Sequence, residues 1–563
     1  MQHRPSAFTA TSLEQWRTQV EKDLKGVALD AITIRSRDGF ELPPLLQPAP
    51  PTALAAATHG AIAEAFATHG PWSTAALISS DEAAHLASLV ATAASREASL
   101  VWIDTNLRDI DLAHALADLQ PLPRVALLRA PSANSAELAP IAHRVKATSN
   151  PFPAQLRAQA SAEATSAAVE AALQSPGALL ADATFSAEAG HSEATELALA
   201  LTAALRWLQA ADARGMALEP VADRIEILLS TGRDLFFTVA KFRAARLLIS
   251  SLFDQAGLSA VPRIHALETL ASKTTLAPWT NLIRLSVETS AAIFGGAQSI
   301  ALRGHDAASG ATSTESLRLA LNAACILREE SHLGVVADPA QGSASLEQLT
   351  EQLATAAWAL FQEEQRGAKD GSGLVAKGDA ESAPKFAASV TRRRESIIGV
   401  TEFPDLSERA VAPAVAAAGP AAPRRWSQPV EAARAAVEAN THGARPIVAL
   451  YIGDPSDKLK PRIAFAKGLF ATLGFKAAEV PLGSATANAS VACLCTSDAL
   501  LAEQAPAFIE AARSAGASHL FAAGNPGDAA AELKAAGITD FLNLATGLAP
   551  LLQLAAQLPS ETP

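Results

Sequence analysis

The chain has 563 residues, a net charge of −12, 49% hydrophobic and 5% aromatic residues, and three cysteines. Plentiful aliphatic residues exclude a disordered chain, the few cysteines exclude a disulfide scaffold, and the acidic balance argues against nucleic-acid binding. No apolar run is long enough to span a membrane and the N-terminus shows no secretory signal, so we expect a cytoplasmic protein without membrane contact.

The N-terminal arm, residues 1–48, combines a helix with a short hairpin. Ser12 is a suitable N-cap for a helix that runs to Leu24, with apolar residues at helical spacing. Ala31–Leu42 is typical of two extended segments around the Asp38-Gly39 turn, and a proline-rich connector follows. An amphipathic arm ahead of a core packs either on a partner subunit or on its own domain, and the sequence leaves both possibilities open.

Residues 49–380 predict a (β/α)8 barrel. Short apolar runs alternate there with helical stretches rich in alanine and leucine, such as Glu193–Leu208 and Leu235–Leu252. The predicted strands are Thr74–Ile78, Leu100–Asp104, Val125–Arg129, Ala178–Ala183, Ile225–Ser230, Arg263–Leu267, Gln298–Leu302 and Gly334–Ala337. Eight repeats of a strand and a helix fit a closed TIM barrel, whose functional site lies in the loops that follow the strands.

The remainder divides into a linker, residues 381–444, and a second α/β domain, residues 445–563. The linker contains the alanine- and proline-rich stretch 411–423. The strands predicted beyond it are Pro446–Ile452, Lys476–Val480, Ser490–Leu494, His519–Ala523 and Phe541–Leu544. Helices between most of these strands predict an open, doubly wound parallel sheet of the flavodoxin-like type, with any ligand near the loop Gly453–Lys460.

Six segments, in the same order along the chain, resemble the adenosylcobalamin-dependent acyl-CoA mutases. They are SLEQWRTQVEKDLKG (12–26), DATFSAEAGHSEATELALAL (182–201), AKFRAARLL (240–248), NLIRLSVETSAAIFGGAQSI (281–300), ILREESHLGVVADP (326–339) and IIGVTEFPDL (397–406). The last segment is most similar to the methylmalonyl-CoA mutase small (beta) subunits. The resemblance implies a mutase barrel followed by a degenerate cobalamin-binding-type domain.

Active members of this family hold cobalamin with a D-x-H-x-x-G motif, and the present sequence departs from it. The three positions correspond here to Asp457, Leu459 and Arg462. The histidine supplies a nitrogen donor to cobalt, and leucine has no donor atom. The resemblance therefore implies that this chain binds no cofactor and that adenosylcobalamin lies in a partner subunit. The C-x-C pair Cys493 and Cys495 has no ligand cluster beside it, so we expect core residues and no metal site.

The barrel sequence lacks polar and aromatic groups that active members use. The single tyrosine, Tyr451, lies in the C-terminal domain, Ala187 replaces a glutamine, and Ala340 stands where the family has a tryptophan. His265 corresponds to the family's substrate-facing histidine and is the residual catalytic candidate. Without its polar neighbours, a barrel-mouth residue that does no chemistry is the favoured interpretation of His265.

The departures favour a non-catalytic small (beta) subunit of methylmalonyl-CoA mutase, an isomerase. The resemblance implies a heterodimer with a catalytic large (alpha) subunit that interconverts methylmalonyl-CoA and succinyl-CoA, so that acyl-CoA is met only through the partner. One alternative is a competent mutase subunit for a related acyl-CoA. Another is a regulatory protein whose barrel binds an acyl-CoA without reacting with it.

Overall fold

The computed structural model describes residues 11–46, 50–104, 107, 109–119, 124–127, 145–149, 169–170, 172–173, 177–310, 312–409, 425–439, 445–454, 456–484 and 489–557. The helices are α1 (Leu13–Asp23), α2 (Ala53–His69), α3 (Ala83–Ser95), α4 (Asp109–Ala117), α5 (Phe185–Ala189), α6 (Glu193–Asp212), α7 (Leu218–Ala222), α8 (Leu235–Gln255), α9 (Thr280–Phe294), α10 (Thr314–Glu329), α11 (Ala344–Arg366), α12 (Ser372–Thr391), α13 (Gln428–Ala439), α14 (Lys460–Thr472), α15 (Leu501–Ser514), α16 (Ala530–Ala536) and α17 (Ala549–Gln557). The strands are β1 (Ile34–Arg35), β2 (Glu41–Leu42), β3 (Ser73–Ser79), β4 (Leu100–Asp104), β5 (Arg124–Leu127), β6 (Val145–Ser149), β7 (Gly177–Asp182), β8 (Ile225–Ser230), β9 (Arg263–Leu267), β10 (Ser299–Leu302), β11 (Ile447–Ile452), β12 (Lys476–Pro481), β13 (Val491–Cys495), β14 (His519–Ala523) and β15 (Asp540–Leu542).

The N-terminal arm has the helix and the hairpin that its sequence predicts. Ser12 caps α1, because its hydroxyl accepts a hydrogen bond from the Gln15 backbone while the Gln15 side chain accepts one from the Ser12 N–H. The hairpin strands β1 and β2 pair in antiparallel fashion. Arg37, in the hairpin turn, donates to the His191 carbonyl at 3.0 Å and to the Glu193 carboxylate at 2.6 Å. The hairpin therefore docks on the chain's own barrel.

The barrel is closed by eight parallel strands in the order β10-β3-β4-β5-β6-β7-β8-β9. This confirms the predicted fold class, and seven of the eight predicted strands are present. The prediction for Gly334–Ala337 is wrong: this segment forms turns, with Gly334 at a φ of +89° and Val335 71% exposed. The missing strand is β6, whose sequence VKATS is short and half polar and so gave no strand signal.

Small residues allow the helices to pack closely around the barrel. The longer helices α6 and α8 are almost entirely buried, and alanines make up much of the core between them and the outward-facing strand residues. Polar side chains fix where these helices begin: Ser192 caps α6, and the Asp234 carboxylate accepts the Phe237 N–H at 3.0 Å to cap α8. The alanine excess of the sequence is thus partly a packing requirement.

The C-terminal half contains a five-stranded parallel sheet in the order β12-β11-β13-β14-β15. That order places the first strand inside the sheet, as in flavodoxin-like folds, and confirms the predicted type. The segment predicted as a linker contains the end of α12 and all of α13, and α13 packs against α17 of the second domain. The stretch 411–423 lies outside the described residues. Within the described helices, none is long and apolar enough to cross a membrane.

Candidate functional site

The inward-facing side chains of the barrel strands meet in one apolar cluster along the barrel axis. Its members are Ala75, Leu77, Trp102, Ala126, Leu180, Leu228, Leu267 and Ala301, none more than 4% exposed. They come from seven of the eight strands, and the alternate residues of the same strands face the helices. A ligand that threaded along the axis would have to displace this cluster, whose indole ring, Trp102, is completely buried.

His265 lies inside the barrel, two residues before the end of β9. Its Nδ1 lies 2.6 Å from the Ser299 hydroxyl and its Nε2 lies 3.2 Å from a Glu226 carboxylate oxygen. The edge of the ring contacts Trp102, with 5.4 Å between the ring centroids. Both ring nitrogens therefore have partners within the chain. Leu267, on the same strand and the same face, lies between His265 and the mouth of the barrel.

A buried ionic triad lies at the mouth of the barrel, in the loop after β9. The Lys273 ammonium lies 2.6 Å from Glu268 and 3.0 Å from Glu288. The hydroxyl of Ser272 donates to Glu288 at 2.6 Å, and the Arg303 N–H donates to Glu268 at 2.7 Å. Burial alone would lower the pKa of Lys273, but the two carboxylates outweigh burial and raise it. The lysine is therefore held as a cation and is not available as a base.

A second buried network borders a small cavity between the barrel mouth and the hairpin of the arm. Lys241 donates to Glu196 at 2.7 Å and to the Ser230 hydroxyl at 3.0 Å, while that hydroxyl donates to Glu196 at 2.7 Å. The adjoining cavity has a volume of about 150 Å³, and Ala187 lies in its wall. Ala187, which stands where the resembling family has a glutamine, therefore faces a cavity at the mouth and offers it no polar group.

Burial shifts the pKa of two acidic side chains at the mouth. Burial raises the pKa of Glu188 to about 7, although the positive charge of Arg303 opposes this shift. Burial also raises the pKa of Asp182, against the hydrogen bonds that it accepts from the Thr184 N–H and hydroxyl at 2.9 and 2.7 Å. A carboxyl group with a pKa near neutrality can donate or accept a proton, so Glu188 is a candidate acid or base at the mouth.

The motif residues shared with the mutases mostly hold the barrel together. Arg246, in the AKFRAARLL segment, donates to the Gln298 side chain and to the Pro262 carbonyl, both at 2.6 Å. Arg243, in the same segment, pairs with Asp338 at 3.1 Å. Ala340 packs between α8 and α9 and is 5% exposed, so the tryptophan position of the family is filled by a small core residue here. Most of the resemblance in these segments reflects the scaffold.

In the second domain, the three positions of the cobalamin motif lie in the loop after β11 and in the first turn of α14. Leu459 ends a 3₁₀ turn and is 4% exposed, so its side chain belongs to the core. The Asp457 side chain is 89% exposed and pairs with Lys460 at 2.8 Å, which is an exposed ion pair of little energetic weight. Arg462 extends from the first turn of α14 toward the carboxyl edge of the sheet, where its Nη1 lies 2.8 Å from Asp498.

The guanidinium of Arg462 fills the crevice at the carboxyl ends of β13 and β14. It also donates to the Thr496 carbonyl, and a Cβ atom added to Gly524 would lie 2.8 Å from its Nη1. Burial alone would raise the pKa of Asp498, but hydrogen bonds from the Asn525 N–H and from Arg462 outweigh it and lower the pKa. The ion pair between Arg462 and Asp498 thus lies at the part of the sheet where ligands of this fold bind.

Cobalamin bound through an axial imidazole does not fit this site. Leu459 offers no nitrogen, its side chain is buried, and the neighbouring crevice is filled by Arg462. Cys493 and Cys495 alternate along β13 and belong to one apolar core cluster. Among the residues that the structure describes, no group of three or more His, Cys, Asp or Glu could hold a metal ion.

Ala187 and Leu459 lie where the sequence predicts them, in a cavity wall and in the loop after β11. The sequence did not predict three other features of the site. These are the Lys273 triad, the near-neutral Glu188, and the ion pair between Arg462 and Asp498. Each joins residues that lie apart in sequence, or depends on burial that the sequence does not display. The one usable signal was Arg462 itself, a bulky cation in a position where the resembling family has glycine.

An eight-stranded parallel barrel followed by a flavodoxin-like sheet defines a two-domain α/β protein. Residues 177–444 match the family model described as Methylmalonyl-CoA mutase. The methylmalonyl-CoA mutase small subunit of Streptomyces virginiae is 37% identical over 369 residues, 62% of this chain and 60% of that protein. The small subunit of Porphyromonas gingivalis is 30% identical over 400 residues, 65% of this chain and 63% of that protein.

A methylmalonyl-CoA mutase of Cereibacter sphaeroides is 34% identical over 224 residues, 38% of this chain and 32% of that protein. Among solved structures, Yersinia pestis DHPS with a pterine-sulfa conjugate matches at 15% identity over 46% of this chain and 94% of that chain, with a TM-score of 0.27 that is too low to indicate a shared fold. The chain spans about 60% of the length of the small subunits that it matches. Over residues 177–444 the chain matches the methylmalonyl-CoA mutase family model, which confirms the resemblance seen in the sequence.

Proposed function

We propose that this chain is the non-catalytic small (beta) subunit of an adenosylcobalamin-dependent methylmalonyl-CoA mutase. In this proposal a large subunit holds the cofactor and interconverts methylmalonyl-CoA and succinyl-CoA. The observation that carries the proposal is the filled crevice of the second domain: Leu459 is buried at the cobalt-ligand position and Arg462 is paired with Asp498. The relatives named small subunit support a partner of the same family.

The barrel supports the same proposal independently of the second domain. Trp102 and its apolar neighbours occupy the axis, and His265 is held by Ser299 and Glu226 behind Leu267. A histidine whose two nitrogens are both engaged must break an internal contact before it can bind a substrate carbonyl. An acyl-CoA is therefore expected to react only in the partner subunit.

The arm supports assembly with a partner. Leu13, Trp16, Val20 and Leu24 lie along one face of α1, yet no residue of this helix is buried. Helix α1 does not pack closely on any other described helix or strand, whereas the hairpin that follows is anchored by Arg37. The sequence left open whether the arm packs on its own domain or on a partner subunit. The hairpin contacts its own barrel, whereas α1 offers an apolar face to a second chain.

The test is co-expression with a cognate large subunit whose D-x-H-x-x-G motif is intact. Size-exclusion chromatography with light scattering should show one heterodimer, and absorbance after dialysis should show one cobalamin per heterodimer. The isolated chain should retain no cobalamin and should not convert methylmalonyl-CoA. Two separate peaks, or stoichiometric cobalamin on the isolated chain, would contradict the proposal.

Matched substitutions in the two subunits assign the chemistry to one of them. Changing the motif histidine of the large subunit to alanine should abolish cobalamin-dependent turnover of the heterodimer. Changing His265 to alanine in this chain should leave turnover within about twofold, provided that the heterodimer still forms. Loss of turnover in the His265→Ala heterodimer, with assembly intact, would favour a competent subunit instead.

A further inference from the structure

We propose that an apolar surface where the barrel meets the second half of the chain is the docking site for the large mutase subunit. This inference rests on the proposed function and adds the location of the interface. The surface consists of Trp279 at the N-cap of α9, Ile283 and Val287 on α9, and Ile398 and Phe403 in the segment after α12. We call these five residues the seam patch.

The side chains of the seam patch are exposed, and a hydrogen bond joins its two segments. Trp279 is 63% exposed, Ile283 67% and Phe403 80%, which is unusual for side chains of this size. Trp279, Ile283 and Val287 are spaced by four residues and therefore lie on one face of the helix. The Arg284 guanidinium donates to the Ile398 carbonyl at 2.8 Å, which holds the second segment against the first turns of α9. One face of the Trp279 ring stacks on His305, with 4.5 Å between the centroids, so the indole is fixed in place before any partner binds.

The two charged residues of α9 have partners within the chain. Arg284 turns toward Asn281 at 2.7 Å and Glu288 toward the buried Lys273. The serines on the outer side, Ser286 and Ser290, donate to carbonyls of their own helix at 2.9 and 2.8 Å. The helix therefore offers water an apolar face whose hydroxyls are already bonded, which is typical of a surface that another protein covers.

The backbone beneath Phe403 is held in a conformation that bulky residues avoid. Phe403 has a φ of +50° and precedes a proline, and the neighbouring Ala277 has a φ of +49° and also precedes a proline. The two turns interlock, since a Cβ atom on Gly399 would collide with Ala277. An ion pair of 2.6 Å between Arg393 and Glu402 secures the segment. A strained backbone that exposes a phenyl ring to water does not stabilise the isolated chain. The strain therefore points to a partner that binds the ring.

The size of the seam patch fits a protein partner. Its five side chains expose on the order of 600 Å² in total, at the upper end of apolar patches on monomers and a large share of the ~800 Å² that one partner contributes to a standard interface. Trp279 and Phe403 are the kind of rigid aromatic anchors that dominate binding energy. Self-association would bring together two chains of net charge −12, so a different chain is the favoured occupant.

The test titrates the full-length chain with its cognate large subunit and compares two patch variants with a control. Trp279→Ser and Phe403→Asn should each raise the dissociation constant at least about 30-fold, as measured by sedimentation or interferometry. Val335→Ser is the matched control: it removes an equally exposed side chain beyond the other end of α9, roughly 20 Å away, and should leave the affinity within about twofold. Asparagine tolerates a positive φ, so Phe403→Asn should not lower the melting temperature of the isolated chain.

Hydrogen exchange provides a second measurement that does not depend on variants. Peptides covering 279–290 and 397–406 should exchange more slowly in the complex than in the isolated chain, while the peptide containing Val335 should not change. Unchanged affinity of both patch variants, or no protection of either peptide, would overturn the seam patch as the interface and leave the proposed function intact. Failure of the unmodified chain to bind any large subunit would instead overturn the proposed function. Self-association that the patch variants abolish would identify a second copy as the occupant and overturn the inference.

Discussion

Removal of the Lys273 ammonium is the most demanding test of the barrel mouth. Lys273→Met leaves the carboxylates of Glu268 and Glu288 without the cation that lies 2.6 and 3.0 Å from them. All three side chains are at most 2% exposed, so water cannot take the place of the ammonium. Breaking a buried ion pair by removing one partner costs about 3–5 kcal/mol of unfolding free energy.

This loss translates into a measurable melting temperature. A folding unit of roughly 300 residues unfolds with an entropy of about 0.6 kcal/mol/K, so the loss lowers the melting temperature by about 5–8 °C. The assay is scanning calorimetry of the full chain at pH 8. Burial raises the pKa of Glu268, so protonation relieves the repulsion in the variant and the deficit should shrink as the pH falls from 8 to 5.

The control is the triple variant Lys273→Met, Glu268→Gln, Glu288→Gln, which removes both charges that the lysine balances. It should recover at least half of the lost melting temperature, because no uncompensated charge remains. The reasoning would be refuted if Lys273→Met shifted the transition by less than 2 °C. A triple variant as unstable as the single one would refute it equally, since packing rather than charge would then explain the loss.

Three further predictions concern the mouth, the second domain and the axis. Between pH 4.5, the ordinary pKa of a glutamate, and about 7, Glu188 stays protonated in the folded chain but loses its proton in the unfolded chain. This group therefore lowers the free energy of unfolding by up to about 3 kcal/mol as the pH rises through that window. Glu188→Gln should flatten this pH dependence in calorimetric scans, and an unchanged slope would contradict the assignment. Leu459→His combined with Arg462→Gly supplies an imidazole and empties the crevice, so dialysed protein should retain cobalamin absorbance that Leu459→His alone does not; equal retention by the two would show that Arg462 is no obstacle. His265→Ala leaves Ser299 and Glu226 without their partner and should cost about 1–3 kcal/mol in chemical unfolding, with no effect meaning that these contacts are not formed.

The sequence predicted most strands because they are short aliphatic runs between helical stretches of different period. β4, β8 and β9 have the predicted bounds to the residue, and the sheet type of both domains follows from the alternation of strands and helices. The segment Gly334–Ala337 is the exception, because it forms turns and no strand. Two valines after a glycine have the composition of a strand, but strand formation needs a neighbour to pair with, and β10 and β3, which would flank an eighth strand there, pair directly with each other.

The site was predictable only where a residue type alone decides the chemistry. Leucine cannot coordinate cobalt in any conformation, so the residue type at position 459 alone argues against an axial imidazole there. The pKa of Glu188 and the charge state of Lys273 depend on burial and on partners from other elements, which no local pattern reveals.

The sequence by itself determined the two α/β domains, the resemblance to the mutases and the leucine at the cobalt-ligand position, because these depend on periodicity and on which atoms a side chain contains. Only the tertiary structure decided what fills the vacated positions. It placed Trp102 across the barrel axis, Arg462 in the crevice of the second sheet, and Trp279 and Phe403 on the exposed surface. Each of these depends on which distant segments the fold brings together, and packing fixes that only when the whole chain has assembled.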